Sequence, residues 1–399
     1  MNADRFPAVA AARADGIVLA DNAGGTQVPR ETIDAIAEYL ARDNAQQGAP
    51  YRRKLRTMEM LAAARAAHAE LLGVEPSTVG FGANTTTIAF AVSRCLAHVV
   101  RPGDRIVVTD TDHYANVVPW TSLARFGAEI DRIPVDLHGE LDERAYAAAL
   151  ARGPILVALP WASNGSGNVF DVARLAAAAK DAGALVIVDA VQAVPHLVVD
   201  IPPSADVVLY SPYKVYGPHL GAFYANPEFA RRFFTAEDPS LPSPGLNWSI
   251  ETGTQSHELL AGWLGTIAYL RDAGHGSARD GIARLAAYED ELGAYARARF
   301  AERADRITLF GRPADRDRLP VFAFTVRGVA AADAAAHLEA AGIEAALGDN
   351  YTPRLMRTFS PETNGVVLRL SFAHYNDTAD VDRCFAALDL LTAPVTARS

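Results

Sequence analysis

Cysteine is nearly missing from this chain: only Cys95 and Cys384 occur in 399 residues. Two thiols exclude a disulfide framework and a thiolate metal site, and they agree with a reducing, cytoplasmic compartment and no metal centre. Long apolar runs are missing too. No uninterrupted stretch approaches the ~20 residues of a membrane span, and Met1 to Arg13 lacks a basic start followed by an apolar core, so no membrane association is expected. Without secretion, the sequons Asn164-Gly165-Ser166 and Asn247-Trp248-Ser249 carry no weight. Positive charge is in deficit, 37 Lys+Arg against 47 Asp+Glu for a net −10, which disfavours a nucleic-acid partner. The densest basic stretch, Arg52, Arg53, Lys54 and Arg56, is short and reads as a solvated segment or an anion contact. Neither G-x-G-x-x-G nor G-x-x-x-x-G-K-S/T occurs, so dinucleotide and Walker-type phosphate sites lack their mark and a nicotinamide oxidoreductase is disfavoured.

What is present is material for a core: half the residues are hydrophobic and 21% charged, enough for one large domain or two ordinary ones. From about 75 to 225, β-branched runs alternate with amphipathic stretches, the pattern of parallel strands and crossover helices. Strands are expected at 105–109, 129–134, 155–160, 185–189 and 207–211, with helices at 86–99, 118–125, 143–151 and 172–182. The expected fold is therefore α/β, a mostly parallel sheet covered on both faces. Pro239, Pro242, Pro244 and Gly245 suggest a long functional loop or an interdomain connection. Beyond it, a long helical region over about 258–301, strands at 321–326 and 366–371 and helices at 331–341 and 379–391 suggest a smaller α+β unit. The expected division is a large domain over 21–265 and a small one over 266–399, with residues 1–20 packing on the small one.

Lys214 lies just past an expected buried strand, in Ser211-Pro212-Tyr213-Lys214-Val215-Tyr216-Gly217-Pro218. A desolvated lysine there has its pKa lowered and can act as an amine nucleophile. Asp189 and Gln192 end the preceding strand at the same carboxyl edge, where open α/β sheets bind ligands. Asn84-Thr85-Thr86-Thr87 opens a helix after a strand-like Val79 to Phe81, so backbone N–H groups and hydroxyls converge on a place for an anion. His113 and Asn164 follow two further strands. Each has an ordinary reading alone, a cap or a rim residue. Together they fit pyridoxal phosphate, which needs a lysine for its aldehyde, a carboxylate for its pyridine nitrogen and donors for its phosphate.

The segments Asp112-His113-Tyr114-Ala115-Asn116-Val117-Val118-Pro119-Trp120, Val188-Asp189-Ala190-Val191-Gln192-Ala193-Val194 and Ser211 to Pro218 resemble the cysteine desulfurase family. That family belongs to the class V aminotransferase group of fold-type I pyridoxal phosphate enzymes. The likeness runs from Leu19-Ala20-Asp21-Asn22-Ala23 to Val381-Asp382-Arg383. It implies a Schiff base on Lys214, Asp189 at the pyridine nitrogen, Gln192 and Asn164 near the ring hydroxyl, and His113 stacked on the ring. Thr85, Thr86 and Ser211 would hold the phosphate, joined by Thr254 from a neighbouring subunit, which implies a homodimer with shared active sites. Arg369 would grip the carboxylate of a small amino-acid substrate, with Asn22 and Tyr351 beside it.

The chain departs from the family in two places. Tyr213 stands where a histidine usually precedes the lysine, so one contact to the cofactor phosphate is altered or replaced by a phenol. The segment 347–356, Leu-Gly-Asp-Asn-Tyr-Thr-Pro-Arg-Leu-Met, aligns with the loop that carries the desulfurase nucleophile, yet it has no cysteine and Tyr351 or a neighbour takes that place. A persulfide relay needs an accessible thiolate. The expected activity is therefore C–S cleavage by β-elimination without the relay, with transamination or epimerisation as alternatives. The joint retention of Lys214, Asp189, Gln192, His113 and Arg369 argues against a non-catalytic binding protein.

Overall fold

The computed structural model of the chain describes residues 3–47, 51–234, 249–313 and 317–392. The proline-rich stretch at 239–245 lies outside the described residues. After a short strand β1 (Val18–Leu19), seven strands build the main sheet: β2 (Val79–Gly82), β3 (Arg105–Thr109), β4 (Glu129–Ile133), β5 (Leu156–Pro160), β6 (Leu185–Asp189), β7 (Val207–Tyr210) and β8 (Gly221–Ala225). Their order is β2-β8-β7-β6-β5-β3-β4, and only β8 runs against the others. The sheet is thus mostly parallel, as expected, and β8 is the strand that pattern reading missed.

Alternation along the strands explains the two covered faces. Val107, Val157, Val186, Val188 and Val208 join one apolar cluster, while their chain neighbours Ile106, Val108, Ala158, Ile187 and Val207 join another. Successive side chains point to opposite faces, so near-continuous apolar runs supply both cores at once. The helices Thr85–Leu96, Glu143–Leu150 and Val172–Asp181 cover these faces, close to their expected spans. Chain order reverses between β5 and β3, and the carboxyl ends of β2, β3, β5, β6 and β7 share one edge. A crevice at such an edge is where ligands bind in this architecture.

The later chain forms β9 (Ile307–Leu309), β10 (Val321–Val326), β11 (Ile343–Glu344), β12 (Ala346–Gly348) and β13 (Val367–Ser371). Four of them make an antiparallel sheet in the order β12-β13-β10-β9. β11 instead pairs in parallel with β1, and Asp21 bridges to Ser371, so the N-terminal segment is threaded beside β13. The helical region expected over 258–301 consists of two helices, His257–Ala273 and Ala278–Ala301. His275 (φ 54°) and Gly276 (φ 119°) adopt left-handed backbone between them, which an α-helix cannot continue. The Ser277 side chain then caps the second helix by accepting the Asp280 N–H at 3.2 Å.

Candidate active site

A cavity of about 200 Å³ opens at the carboxyl edge of the main sheet. Lys214, Asp189, Gln192, His113 and Asn164 line it, brought from the ends of β7, β6, β3 and β5. Thr85, Thr86, Ser211 and Tyr213 complete the wall. Each is held by backbone that its own sequence dictates. Pro212 starts the 3-10 turn Pro212–Lys214 directly after β7, which turns the lysine back over the strand ends. Asn84 caps the helix Thr85–Leu96 by accepting the Thr87 N–H at 2.8 Å. Gly221 lets β8 approach that helix start, since a Cβ there would lie 2.3 Å from the Asn84 carbonyl carbon.

Lys214 is buried, and burial together with Arg369 lowers its pKa to about 8 against the opposing pull of Asp189 and Asp21. Burial raises the Asp189 carboxyl to about 6, although the Val191 N–H donates to its Oδ1 at 2.9 Å and Lys214 lies near. His113 is held neutral: burial, then the charges of Lys214 and Arg369, bring its pKa to about 3. Its Nδ1 accepts the Ala115 N–H at 3.0 Å, which leaves the proton on Nε2. Gln192 donates to the Ala23 carbonyl at 2.9 Å. Thr85 Oγ1 lies 2.6 Å from Ser211 Oγ and donates to the Tyr210 carbonyl at 2.8 Å, so the two hydroxyls form one unit at the helix N-terminus. The Tyr213 ring stacks on His219 with centroids 5.2 Å apart.

Beside the cavity, Arg369 on β13 donates from Nη1 to the Asn164 carbonyl at 3.0 Å, and its Nη2 lies 2.6 Å from Asp21 Oδ1. Tyr351 is exposed, with its ring 5.4 Å from that of His113. Both Asn350 (φ 50°) and Tyr351 (φ 59°) are left-handed, a strained pair for non-glycine residues. The strain is held by Asn164, whose Nδ2 donates to the Asn350 carbonyl at 2.7 Å, and by the Tyr114 N–H, which donates to the Tyr351 carbonyl at 2.8 Å. Gly165 makes room for this turn, as a Cβ would meet Met356 Cε at 2.4 Å.

Neither Asn22 nor Thr254 lines this cavity in the single chain. Asn22 is committed to structure, donating to the Ser371 carbonyl at 2.8 Å and accepting from the Tyr375 hydroxyl. Thr254 lines a separate cavity with Thr87 and Gln255. The basic residues 52–56 sit on or near the exposed start of the helix Arg52–Leu72, and Arg56 pairs with Asp43.

Sequence reading missed a buried support behind the lysine. Glu289, 1% exposed, accepts from the Tyr216 hydroxyl at 2.8 Å and the His374 N–H at 2.8 Å, and its Oε2 lies 2.5 Å from His196 Nδ1. Tyr216 is two residues past Lys214 and left-handed (φ 59°), while His374 follows the strand that carries Arg369. One carboxylate thus ties the lysine turn to the arginine strand. No motif marks Glu289, which sits in an acidic helical stretch, Tyr288-Glu289-Asp290-Glu291, that reads as a solvated face. Burial alone would raise its pKa, but His196 and His374 hold it down at about 2. Because the folded value lies below the ordinary 4.5, this group contributes stability that is present above about pH 4.5 and is lost as pH falls towards 2. Glu289→Ala is expected to destabilise the protein by about 3–5 kcal/mol, since it strands buried partners. The check is a urea unfolding curve at pH 7; a change under about 1 kcal/mol would contradict the assignment.

Comparison with known proteins gives one consistent result. The family described as Aminotransferase class-V matches residues 18–384. A probable cysteine desulfurase of Pseudomonas aeruginosa is 31% identical over 403 residues, covering 96% of each chain. The aminotransferase-like protein FGM3 of Gibberella zeae is 27% identical over 391 residues, covering 94% of each. Among solved structures, the apo cysteine desulfurase of Thermococcus onnurineus NA1 superimposes with a TM-score of 0.87 at 25% identity, covering 97% of this chain and 96% of that one.

Proposed function

This chain belongs to the aminotransferase class-V family of pyridoxal phosphate-dependent enzymes, and we propose that it cleaves the C–S bond of a sulfur-bearing amino acid by β-elimination, without relaying sulfur through a protein thiol. The residues present fit the cofactor. Thr86 and the helix N–H groups offer phosphate donors, Thr85 and Ser211 would join them by turning their hydroxyls from the Tyr210 carbonyl and from each other, Asp189 offers a carboxylate for the ring nitrogen, and Gln192 and Asn164 would flank the ring hydroxyl. Asn164 Oδ1 is buried with no partner among the described residues, a polar atom awaiting a ligand. When bound, pyridoxal phosphate supplies an aldehyde that condenses with amines and an electron-poor ring that draws charge from Cα.

The chain's own residues do the rest. Lys214, with a pKa near 8, carries a neutral fraction at pH 7 and can take a proton from Cα and return it. Arg369 receives the α-carboxylate on its planar fork, which fixes the Cα–H direction. Neutral His113 offers a flat face beside the lysine without adding positive charge there. Asp189 keeps a compensating negative charge at the far side of the cavity. Thr254 lies outside this cavity in one chain, and in the proposed homodimer it would serve the partner's site.

One observation carries the absence of a relay: the segment 347–356 contains no cysteine, and the turn at its centre is pinned by Asn164 and Tyr114. The remaining thiols are poor substitutes. Cys384 is fully buried with its pKa pushed up to about 12, and Cys95 packs in the helix Thr85–Leu96 against the core. The test is a panel of L-cysteine and cysteine S-conjugates assayed for sulfide or thiol, 2-oxo acid, ammonia and enantiomer. The expected result is one sulfide from cysteine or one thiol from an S-conjugate, with one 2-oxo acid and one ammonia, per substrate consumed. An intact thioether recovered with inverted Cα, or with its amino group moved to an added 2-oxo acid, would contradict the lyase reading in favour of epimerisation or transamination.

A further inference from the structure

Arg369 does not wait for its ligand unpaired. The guanidinium is 4% exposed; Nη2 faces Asp21 Oδ1 at 2.6 Å, Nη1 donates to the Asn164 carbonyl at 3.0 Å, and Nε has no partner among the described residues. A guanidinium buried this deeply requires a counter-charge, and Asp21 is the one that meets it. The two halves of the pair differ in setting. Arg369 is fixed within β13, whereas the Asp21 side chain is 40% exposed on the N-terminal segment that runs beside that strand. Gly24 leaves room for this carboxylate, since a Cβ there would lie 2.8 Å from Asp21 Oδ2. Lys214 feels Arg369 and Asp21 with opposite sign, so the pair lies within electrostatic reach of the reacting amine.

We infer that Asp21 is a specificity-determining residue: a built-in carboxylate that occupies Arg369 while no substrate is bound and is exchanged for the carboxylate of the incoming amino acid. This rests on the reading of Arg369 as the carboxylate anchor. The exchange preserves one negative charge on the buried guanidinium throughout, and the displaced Asp21 turns to water, for which its exposure already suits it. The observed affinity for a carboxylate is then its intrinsic affinity reduced by the fraction of molecules in which Asp21 has left. Ligands without a carboxylate gain nothing from removal of Asp21, so the residue tunes the site against one functional group only.

Propionate, which has the carboxylate but no amine to react, is a direct probe. Calorimetric titration of the holoenzyme is expected to give a dissociation constant at least about fivefold lower for Asp21→Asn than for the unsubstituted protein, in the range set by loss of one competing ion pair. Propionamide should show no difference, and Arg369→Gln should abolish propionate binding with or without Asp21→Asn. Equal or weaker propionate binding by Asp21→Asn, with Arg369→Gln still abolishing it, would overturn the exchange and leave the Arg369 reading intact. Undiminished binding by Arg369→Gln would overturn both. A crystal structure of the unsubstituted holoenzyme with propionate needs no variant: Asp21 is expected to have parted from Arg369, and a retained contact near 2.6 Å would contradict the inference.

Discussion

Lys214→Ala is expected to reduce turnover by about 10³-fold or more, because it removes the amine proposed both to anchor the cofactor and to move the Cα proton. Burial argues that nothing else can take over. The amine stands at the end of β7 behind Asp189, His113 and the Pro212 turn. The loss should be in kcat; Asp189 loses the cation beside it but keeps the Val191 N–H on its Oδ1, and circular dichroism of the variant checks that the fold is retained. The lowered pKa adds a signed prediction. With a value near 8 and not the ordinary 10.5, about one lysine in ten is neutral at pH 7, so cofactor capture by the apo protein should accelerate as pH rises and level off above about 8. Stopped-flow absorbance over pH 6–10 measures it. A rate that keeps climbing to pH 10 would show an unperturbed amine.

Asp189→Asn is expected to cost about 10²–10³-fold in kcat while leaving the cofactor attached. The substitution keeps the size and the Val191 N–H contact to Oδ1 but removes the negative charge at the position proposed for the ring nitrogen. Steady-state kinetics at saturating pyridoxal phosphate separates this from weakened binding. Activity within threefold of the parent would show that the charge plays no part.

The comparison of these two residues with Asp21 and Glu289 shows what a chain discloses before it is folded. Lys214, Asp189, His113 and Asn164 follow buried apolar strands within a few residues, so the strand pattern alone carries them to one edge of the sheet. Thr85 and Ser211 are legible for the same reason, as a helix start and a strand end. Arg369 carries no such local sign and rests on the resemblance alone. Asp21 meets it across 348 residues, and Glu289 gathers Tyr216, His196 and His374 across at least 73. Those partnerships depend on how the later chain lies against the sheet, which hydrophobic periodicity does not specify. The broken helix at 274–277 was written in Gly-His-Gly-Ser but hidden between two long helical stretches. Thr254 is a different case: it lines a separate cavity in one chain, and its part in a shared site belongs to the proposed homodimer.

The account stands on a covalent link between Lys214 and pyridoxal phosphate, and borohydride reduction of the reconstituted protein tests it most directly. After reduction and digestion, peptide mass spectrometry should find the pyridoxyl increment on Lys214, with visible absorbance lost in proportion. A protein that stays colourless with the cofactor, or one whose increment maps to another lysine, would contradict it.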